Sequence, residues 1–297
     1  MTEDLIGRLQ EAIGSAYEVE REFASGGQSR LFIAQDAAAP RKVVIKLLPP
    51  DLAGAIESER FRREIQVLGV LQHPHIVPLL GSGHVGDLLW YVMPFIRGDS
   101  LAARLKAQGA LPVQDALRAL YEIADALAMA HREGIVHRDL KPENVLFQSE
   151  HAMLADFGVA HARLESLRRS SGVSMGEMRR SIAMSNGRLT QHGFAVGTPG
   201  YMAPEQFIGD DPADARADVY SLAMLGYEML TGKAPFSQYR GARLMVAHFT
   251  EHPPLASSIR GEVSVGIAQV LDQGLAKEPQ DRWRDAGAFR DALGVRF

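Results

Sequence analysis

The chain has 297 residues, 46% hydrophobic and 23% charged, which suits one large globular domain or two packed lobes. It contains no cysteine, so disulfides, thiolate metal sites and a cysteine nucleophile are excluded, and a net charge of −4 argues against a general nucleic-acid binder. No apolar run approaches the roughly 18–20 residues of a membrane span, and the acidic start Met1-Thr2-Glu3-Asp4 does not read as a secretory signal.

Residues 2–14 read as an amphipathic helix. Thr2 is a capping residue, and Leu5, Leu9 and Ile13 repeat every four residues. This segment, 1–16, is expected to pack on the lobe that follows it or to serve as a dimer contact. Residues 17–48 read as three strands: Tyr17 to Ala24 alternates weakly, Arg30 to Ala34 is apolar, and Lys42 to Leu48 is apolar with Lys46 inside. Ser25-Gly26-Gly27-Gln28-Ser29 joins the first two as a hairpin. Residues 57–71 read as a helix with Phe61, Ile65, Leu68 and Leu71 on one face, ended by Pro74. Strands around Ile76–Leu80 and Leu88–Met93 complete a small, mostly antiparallel lobe with one helix, over 17–94.

From Pro112 onward the pattern turns helical. Leu117, Leu120, Ala124 and Leu127 recur at helical spacing, with Pro112 near the start and Gly134 beyond the end. Val219, Leu222, Leu225 and Met229 mark a second buried helix. The lobe boundary is expected at 94–98 and the second lobe at 99–293. Between Phe157 and Pro204 six arginines stand against two acids, a net of +4. A solvated loop and a basic segment that receives a phosphate or docks a partner are both open readings. Residues 163–190, rich in Ser, Arg, Met and Gly, have the composition of a disordered stretch.

The chemistry concentrates in His137-Arg138-Asp139-Leu140-Lys141-Pro142-Glu143-Asn144, followed by Asp156-Phe157-Gly158. One short loop carries a carboxylate, an ammonium and an amide, and a second carboxylate lies 12 residues after the amide. Phosphoryl transfer needs such a set: a carboxylate to orient and deprotonate a hydroxyl, a cation to offset charge on the moving group, and hard oxygen donors for a divalent metal. Upstream stand Val43-Val44-Ile45-Lys46 and Phe61-Arg62-Arg63-Glu64-Ile65. Downstream stand Thr198-Pro199-Gly200-Tyr201-Met202-Ala203-Pro204-Glu205, Asp218-Val219-Tyr220-Ser221-Leu222 and Pro279-Gln280-Asp281-Arg282-Trp283. Taken singly, Lys46 or Glu64 reads as half of a surface ion pair, and Ser25-Gly26-Gly27 as an ordinary turn. His73, His75, His131 and His151 show no metal-ligand spacing and read as structural.

Together, in this order, these motifs resemble the eukaryotic-type Ser/Thr protein kinases over about residues 17–293, in the style of the bacterial membrane-anchored branch. The resemblance implies an α+β, two-lobed fold: a small antiparallel β-sheet lobe with one helix, a hinge at 94–98 and a larger, mainly helical lobe. It implies ATP with Mg²⁺, or Mn²⁺ in its place. Lys46, paired with Glu64, would hold the α- and β-phosphates, and a lysine between apolar neighbours needs such partners. Asp139 would be the base, Lys141 would contact the γ-phosphate, and Asn144 and Asp156 would be metal ligands. His137 and Phe157 would pack rather than react.

The glycine-rich pattern falls on Ala24, Gly26, Ser29 and Leu31, and only its central glycine is kept, with Gly27 beside it. These two still permit close backbone approach to phosphates. In the hinge Tyr91-Val92-Met93-Pro94-Phe95-Ile96, Met93 would be the gatekeeper, and Pro94 and Ile96 would face the base through their backbones. Leu31, Val44 and Leu146 would sandwich adenine, and core packing is compatible with that role. Glu205 would pair with Arg282. The activation segment, 156–205, is long at 50 residues. Thr190 and Ser170, Ser171, Ser174, Ser181 and Ser185 are its acceptor candidates, and Arg138 is the arginine that a phosphate would steady.

The implied partners are ATP and protein substrates with Ser or Thr acceptors, including the chain itself, and no nucleic acid. A membrane would be reached only through a segment absent from this chain. The implied setting is cytoplasmic, either as a soluble kinase or as the cytoplasmic part of an anchored protein. Two rivals are a nucleotide-binding pseudokinase or scaffold, suggested by the reduced glycine loop, and a small-molecule kinase, which the peptide-docking segment at 197–205 opposes.

Overall fold

Strand alternation organises the first part of the chain. The computed structural model describes residues 2–26, 29–48, 65, 69–86, 88–157, 200–208 and 214–295. The chain divides into two compact units, Met1–Arg97 and Gly98–Phe297.

Unit 1 is an antiparallel sheet in the order β1-β2-β3-β5-β4, from β1 (Tyr17–Gly26), β2 (Ser29–Asp36), β3 (Lys42–Leu47), β4 (Gly81–Val85) and β5 (Leu88–Pro94). Successive side chains point to opposite faces. Phe32, Ala34, Val43, Ile45, Leu47, Trp90 and Val92 therefore share one face, which helix α1 (Thr2–Ile13) covers by inserting the fully buried Leu9. Burying one leucine in this way stabilises by about 1.5–3 kcal/mol. Gln10 ties the helix to the edge strand: its Nε2 donates to the carbonyl of Tyr17 at 2.9 Å, and its Oε1 accepts the N–H of Val19 at 2.9 Å. An amide thus serves the open edge of β1 as a neighbouring strand would. The amphipathic helix expected at 2–14 packs on unit 1.

One expectation is corrected. The strand expected at Ile76–Leu80 lies instead at Gly81–Val85. Pro78 lacks a backbone donor, and Ile76 turns back with its N–H on the carbonyl of His73. Glycine at 83 is required by packing, because a Cβ there would come within 2.2 Å of the Trp90 ring. Of the helix expected at 57–71, Ile65 is helical and buried, whereas Glu64 lies outside the described residues.

Unit 2 begins with a helix that the sequence reading did not include, α2 (Leu101–Gln108), whose N-terminus is capped by the Ser100 hydroxyl accepting from Ala103 N–H. It continues with α3 (Val113–Arg132), the hairpin β6 (Val145–Gln148) and β7 (His151–Leu154), α4 (Pro204–Ile208), α5 (Ala215–Thr231), α6 (Gly241–Thr250), α7 (Ala256–Ile259), α8 (Val265–Gly274) and α9 (Ala286–Ala292). Helix α5 is buried nearly all round, with Val219, Leu222, Leu225 and Met229 fully buried. It packs against α3, α8 and α9. A Cβ on Gly226 would come within 2.8 Å of Leu271 and 3.0 Å of Leu120, so this glycine lets the helices approach. Glu122 on α3 is buried and accepts the N–H of Ala152 at 2.7 Å and pairs with His151 at 2.6 Å, holding the hairpin to the helices. Among the described residues no helix is long and apolar enough to cross a membrane.

Candidate active site

Helix α5 carries the anchor of the site. Asp218, in its first turn, is fully buried. Its Oδ2 accepts the N–H of His137 at 2.7 Å and lies 2.9 Å from His131 Nε2, and its Oδ1 accepts the N–H of Arg138 at 2.7 Å. His131 Nδ1 accepts from the N–H of Ala286, so its Nε2 is the protonated nitrogen and donates to Asp218. Burial pushes the Asp218 carboxyl up, but the hydrogen bonds from His131 and from the N–H of Arg138 outweigh it and hold the group below its usual value.

Two consecutive backbone N–H groups on one buried carboxylate force a sharp loop. Arg138 has φ 66° and Asp156 φ 62°, both in the left-handed region. For non-glycine residues such backbone costs about 1–3 kcal/mol and persists only where the surroundings over-determine it. His137 is one such determinant. It is fully buried, its Nε2 donates to the carbonyl of Ala155 at 3.0 Å, and its ring lies 4.7 Å from that of Phe157. It packs, as expected, and also fastens the loop to the segment that carries Asp156.

Within the loop, Asp139 Oδ2 accepts from Lys141 Nζ at 2.7 Å and from Asn144 Nδ2 at 3.2 Å. Asn144 Nδ2 also donates to the Asp139 carbonyl at 2.8 Å, and the Asn144 carbonyl accepts from Ala155 N–H at 2.8 Å. The side chain of Asp139 is 37% exposed, so its carboxylate is fixed and still accessible. A small cavity beside it is lined by Arg138, Asp139, Leu140, Lys141, Tyr201, Met202 and Ser221. Ser221 Oγ donates to the Tyr201 carbonyl at 2.7 Å, and the Tyr201 hydroxyl donates to Glu228. Burial raises the pKa of Tyr201 and of Glu228, so the phenol keeps its proton and stays the donor of this bond.

The A-P-E glutamate is locked as expected. Arg282 is buried and reaches Glu205 through both terminal guanidinium nitrogens, at 2.7 and 2.9 Å.

In unit 1 the strand register groups the expected nucleotide residues. Lys46 pairs with Leu31 and Tyr91, and Val44 pairs with Ile33 and Met93. Residues directly opposite one another face the same side, so Leu31, Val44, Lys46 and Met93 share the face opposite to α1. Lys46 Nζ stands 5.7 Å from the centre of the Tyr91 ring. Ala24 pairs with Leu31 and Gly26 with Ser29 in the hairpin. Pro94 closes β5, Ile96 follows it, and Leu146 belongs to β6 of unit 2. Gly27, Glu64, Gly158 and residues 159–199, which include Thr190, Thr198 and the five acceptor serines, lie outside the described residues.

Sequence reasoning singled out neither Gln206 nor Glu228. Both are polar residues within helices, and no spacing marks them.

The fold and this loop define a protein kinase domain, and comparison agrees. The protein kinase domain family matches residues 17–292, and the chain belongs to that family. It is 38% identical over 284 residues to the serine/threonine-protein kinase PknD of Mycobacterium tuberculosis, covering 93% of this chain and 40% of that protein. The corresponding figures for PknE of the same organism are 36% over 275 residues, 91% and 44%. The crystal structure of the Mycobacterium tuberculosis PknI kinase domain superposes with a TM-score of 0.69 at 28% identity, covering 94% of this chain and 95% of that one. The chain spans less than half the length of the two curated relatives.

Proposed function

We propose that this chain is the catalytic domain of a protein serine/threonine kinase, which transfers the γ-phosphate of ATP to Ser and Thr hydroxyls. The observation that carries the reading is the Asp139 carboxylate, accessible and held by Lys141 and Asn144 on a loop strapped to Asp218. Asp139 orients the acceptor hydroxyl and takes its proton, and Lys141, 2.7 Å from that carboxylate, offsets charge that develops on the transferred group. A lysine two residues after the aspartate favours Ser/Thr over Tyr acceptors, by resemblance to that branch. Lys46, from the shared sheet face, holds the α- and β-phosphates.

The donor set fits magnesium. Asn144 spends its amide nitrogen on Asp139, which leaves its oxygen free of that bond, so Asn144 and the Asp156 carboxylate would hold the ion with hard oxygens, the rest of the shell coming from phosphate oxygens and water. Bound there, the ion would neutralise phosphate charge. The protein's part is to keep the two ligands in register, through the Asn144–Ala155 and His137–Ala155 bonds.

The acceptors in this reading include the chain's own segment 156–205. A pseudokinase is disfavoured because Lys46, Asp139, Asn144 and Asp156 are all present. The test is phosphate transfer from ATP to a Ser/Thr peptide by the wild type and by Asp139→Asn. The substitution should lower turnover by about 10²–10⁴-fold with ATP still bound. Equal rates would refute the assignment.

A further inference from the structure

Gln206 follows the A-P-E triplet on α4, and its side chain is buried at 2% exposure. Its amide joins two separate segments. Nε2 donates to the carbonyl of Arg138 at 2.9 Å, and Oε1 accepts the N–H of Ala203 at 3.0 Å. The backbone N–H of Gln206 also donates to the carbonyl of Ala203 at 3.0 Å, so both polar groups of Ala203 are bound to one residue.

The Arg138 carbonyl lies in the peptide that leads into Asp139. A peptide unit is rigid and planar, so fixing its C=O and its N–H fixes the direction in which the next Cα leaves it. The Asp139 N–H is bonded to the carbonyl of His137 at 2.9 Å and lies 3.3 Å from His137 Nδ1. Gln206 holds the other end of that plane. The two preceding N–H groups are bonded to Asp218. The backbone of the loop is thus held from α5 up to Arg138 and from α4 at the plane that aims Asp139. The strained φ of Arg138 is the kind of geometry that needs this over-determination.

We infer that Gln206 is a positioning residue: its amide sets the Arg138–Asp139 peptide plane, and so makes the aim of the Asp139 carboxylate depend on the seating of the Ala203–Gln206 segment. The inference rests on the proposed role of Asp139. The chemistry calls for an amide. A methionine of similar volume would supply neither bond, and a carboxylate would accept from Ala203 but set a second oxygen against the Arg138 carbonyl.

The experiment compares the wild type, Gln206→Met, Gln206→Glu and Asp139→Asn as full chains. It measures kcat and KM with ATP and a Ser/Thr peptide, binding of a non-hydrolysable ATP analogue to count competent sites, and hydrogen exchange of the 137–141 segment. Gln206→Met should lose about tenfold or more in kcat per analogue-binding site while KM for ATP changes less than about threefold. Amides in 137–141 should exchange faster, with those of α8 unchanged. A merely structural role would lower the number of competent sites and leave kcat per site alone. If Gln206→Met binds no analogue, Gln206→Glu, which keeps the Ala203 bond, is judged by the same criteria. A kcat per site within about twofold of wild type, with unchanged exchange, overturns the inference. If the wild type does not exceed Asp139→Asn, the kinase reading fails, and the exchange measurement still decides whether Gln206 fixes the loop.

Discussion

Replacing Arg282 with alanine should be among the most damaging single changes in unit 2. The guanidinium is completely buried, and Glu205 is 14% exposed. Besides its two bonds to Glu205, Arg282 donates to the carbonyls of Ala276 at 2.7 Å, Arg216 at 3.1 Å and Lys277 at 3.0 Å. Its guanidinium also stacks 4.8 Å from the centre of the Tyr220 ring. One substitution therefore strands a carboxylate, removes a donor from three carbonyl oxygens and opens a cavity against an aromatic ring. Breaking a buried pair from one side costs about 3–5 kcal/mol, because the remaining charge has been taken out of water and lost its partner. For a unit of this size each kcal/mol shifts Tm by about 2–4 °C, so the expected fall is about 6–20 °C. Thermal unfolding followed by circular dichroism reads this directly. Glu205→Gln should also destabilise, and adding it to Arg282→Ala should cost less than the sum, since the double variant strands no charge. A Tm within about 2 °C of wild type for Arg282→Ala would refute the reasoning.

Leu9→Ala should cost unit 1 about 2–5 kcal/mol, since Leu9 is fully buried between α1 and the sheet; an unchanged denaturant midpoint would show that α1 does not hold the sheet face. His248 is buried beside Lys277, and burial first, then that charge, pushes its pKa from 6.5 down to about 3. The unfolded chain therefore binds the extra proton in this window, and stability falls as pH drops from about 6.5 toward 3, by about 1.4 kcal/mol per unit. His248→Gln should remove about 2 kcal/mol of the loss between pH 7 and 5 in urea unfolding, and superimposable pH profiles would contradict the account. Thr190→Ala should lower phosphorylation of an added substrate with little change in Tm, if a phosphate on Thr190, adding about −1.5 to −2 charge, is what Arg138 binds. Mass spectrometry of active enzyme showing no phosphate between Ser166 and Thr198 would sink that idea.

Much of the site was legible because its chemistry depends on residue type at short spacing. A carboxylate, a lysine and an amide within six positions, with an Asp twelve further on, define a reaction before any fold is known. The helices of unit 2 were readable where an apolar stripe recurs at 3 and 4, as at Leu117, Leu120, Ala124 and Leu127. Local pattern failed where partners decide. β4 contains two glycines, and it is a strand because Gly83 accommodates Trp90 and β5 supplies its hydrogen bonds. The α2 helix is short, defined by its Ser100 cap, two buried leucines and Gly109, whose N–H closes it on the Leu105 carbonyl.

The sequence by itself determined which groups can do chemistry, since an HRD-type loop with its Asn and a following Asp carries the same functional groups in any conformation. Only the tertiary structure decided how they are aimed. Asp218, Gln206 and Arg282 lie 79, 67 and 143 residues from Asp139 along the chain. A buried carboxylate must find donors wherever the fold brings them. Here it found the two N–H groups of a strained turn, and that long-range satisfaction, invisible to residue spacing, holds the backbone that carries the candidate base.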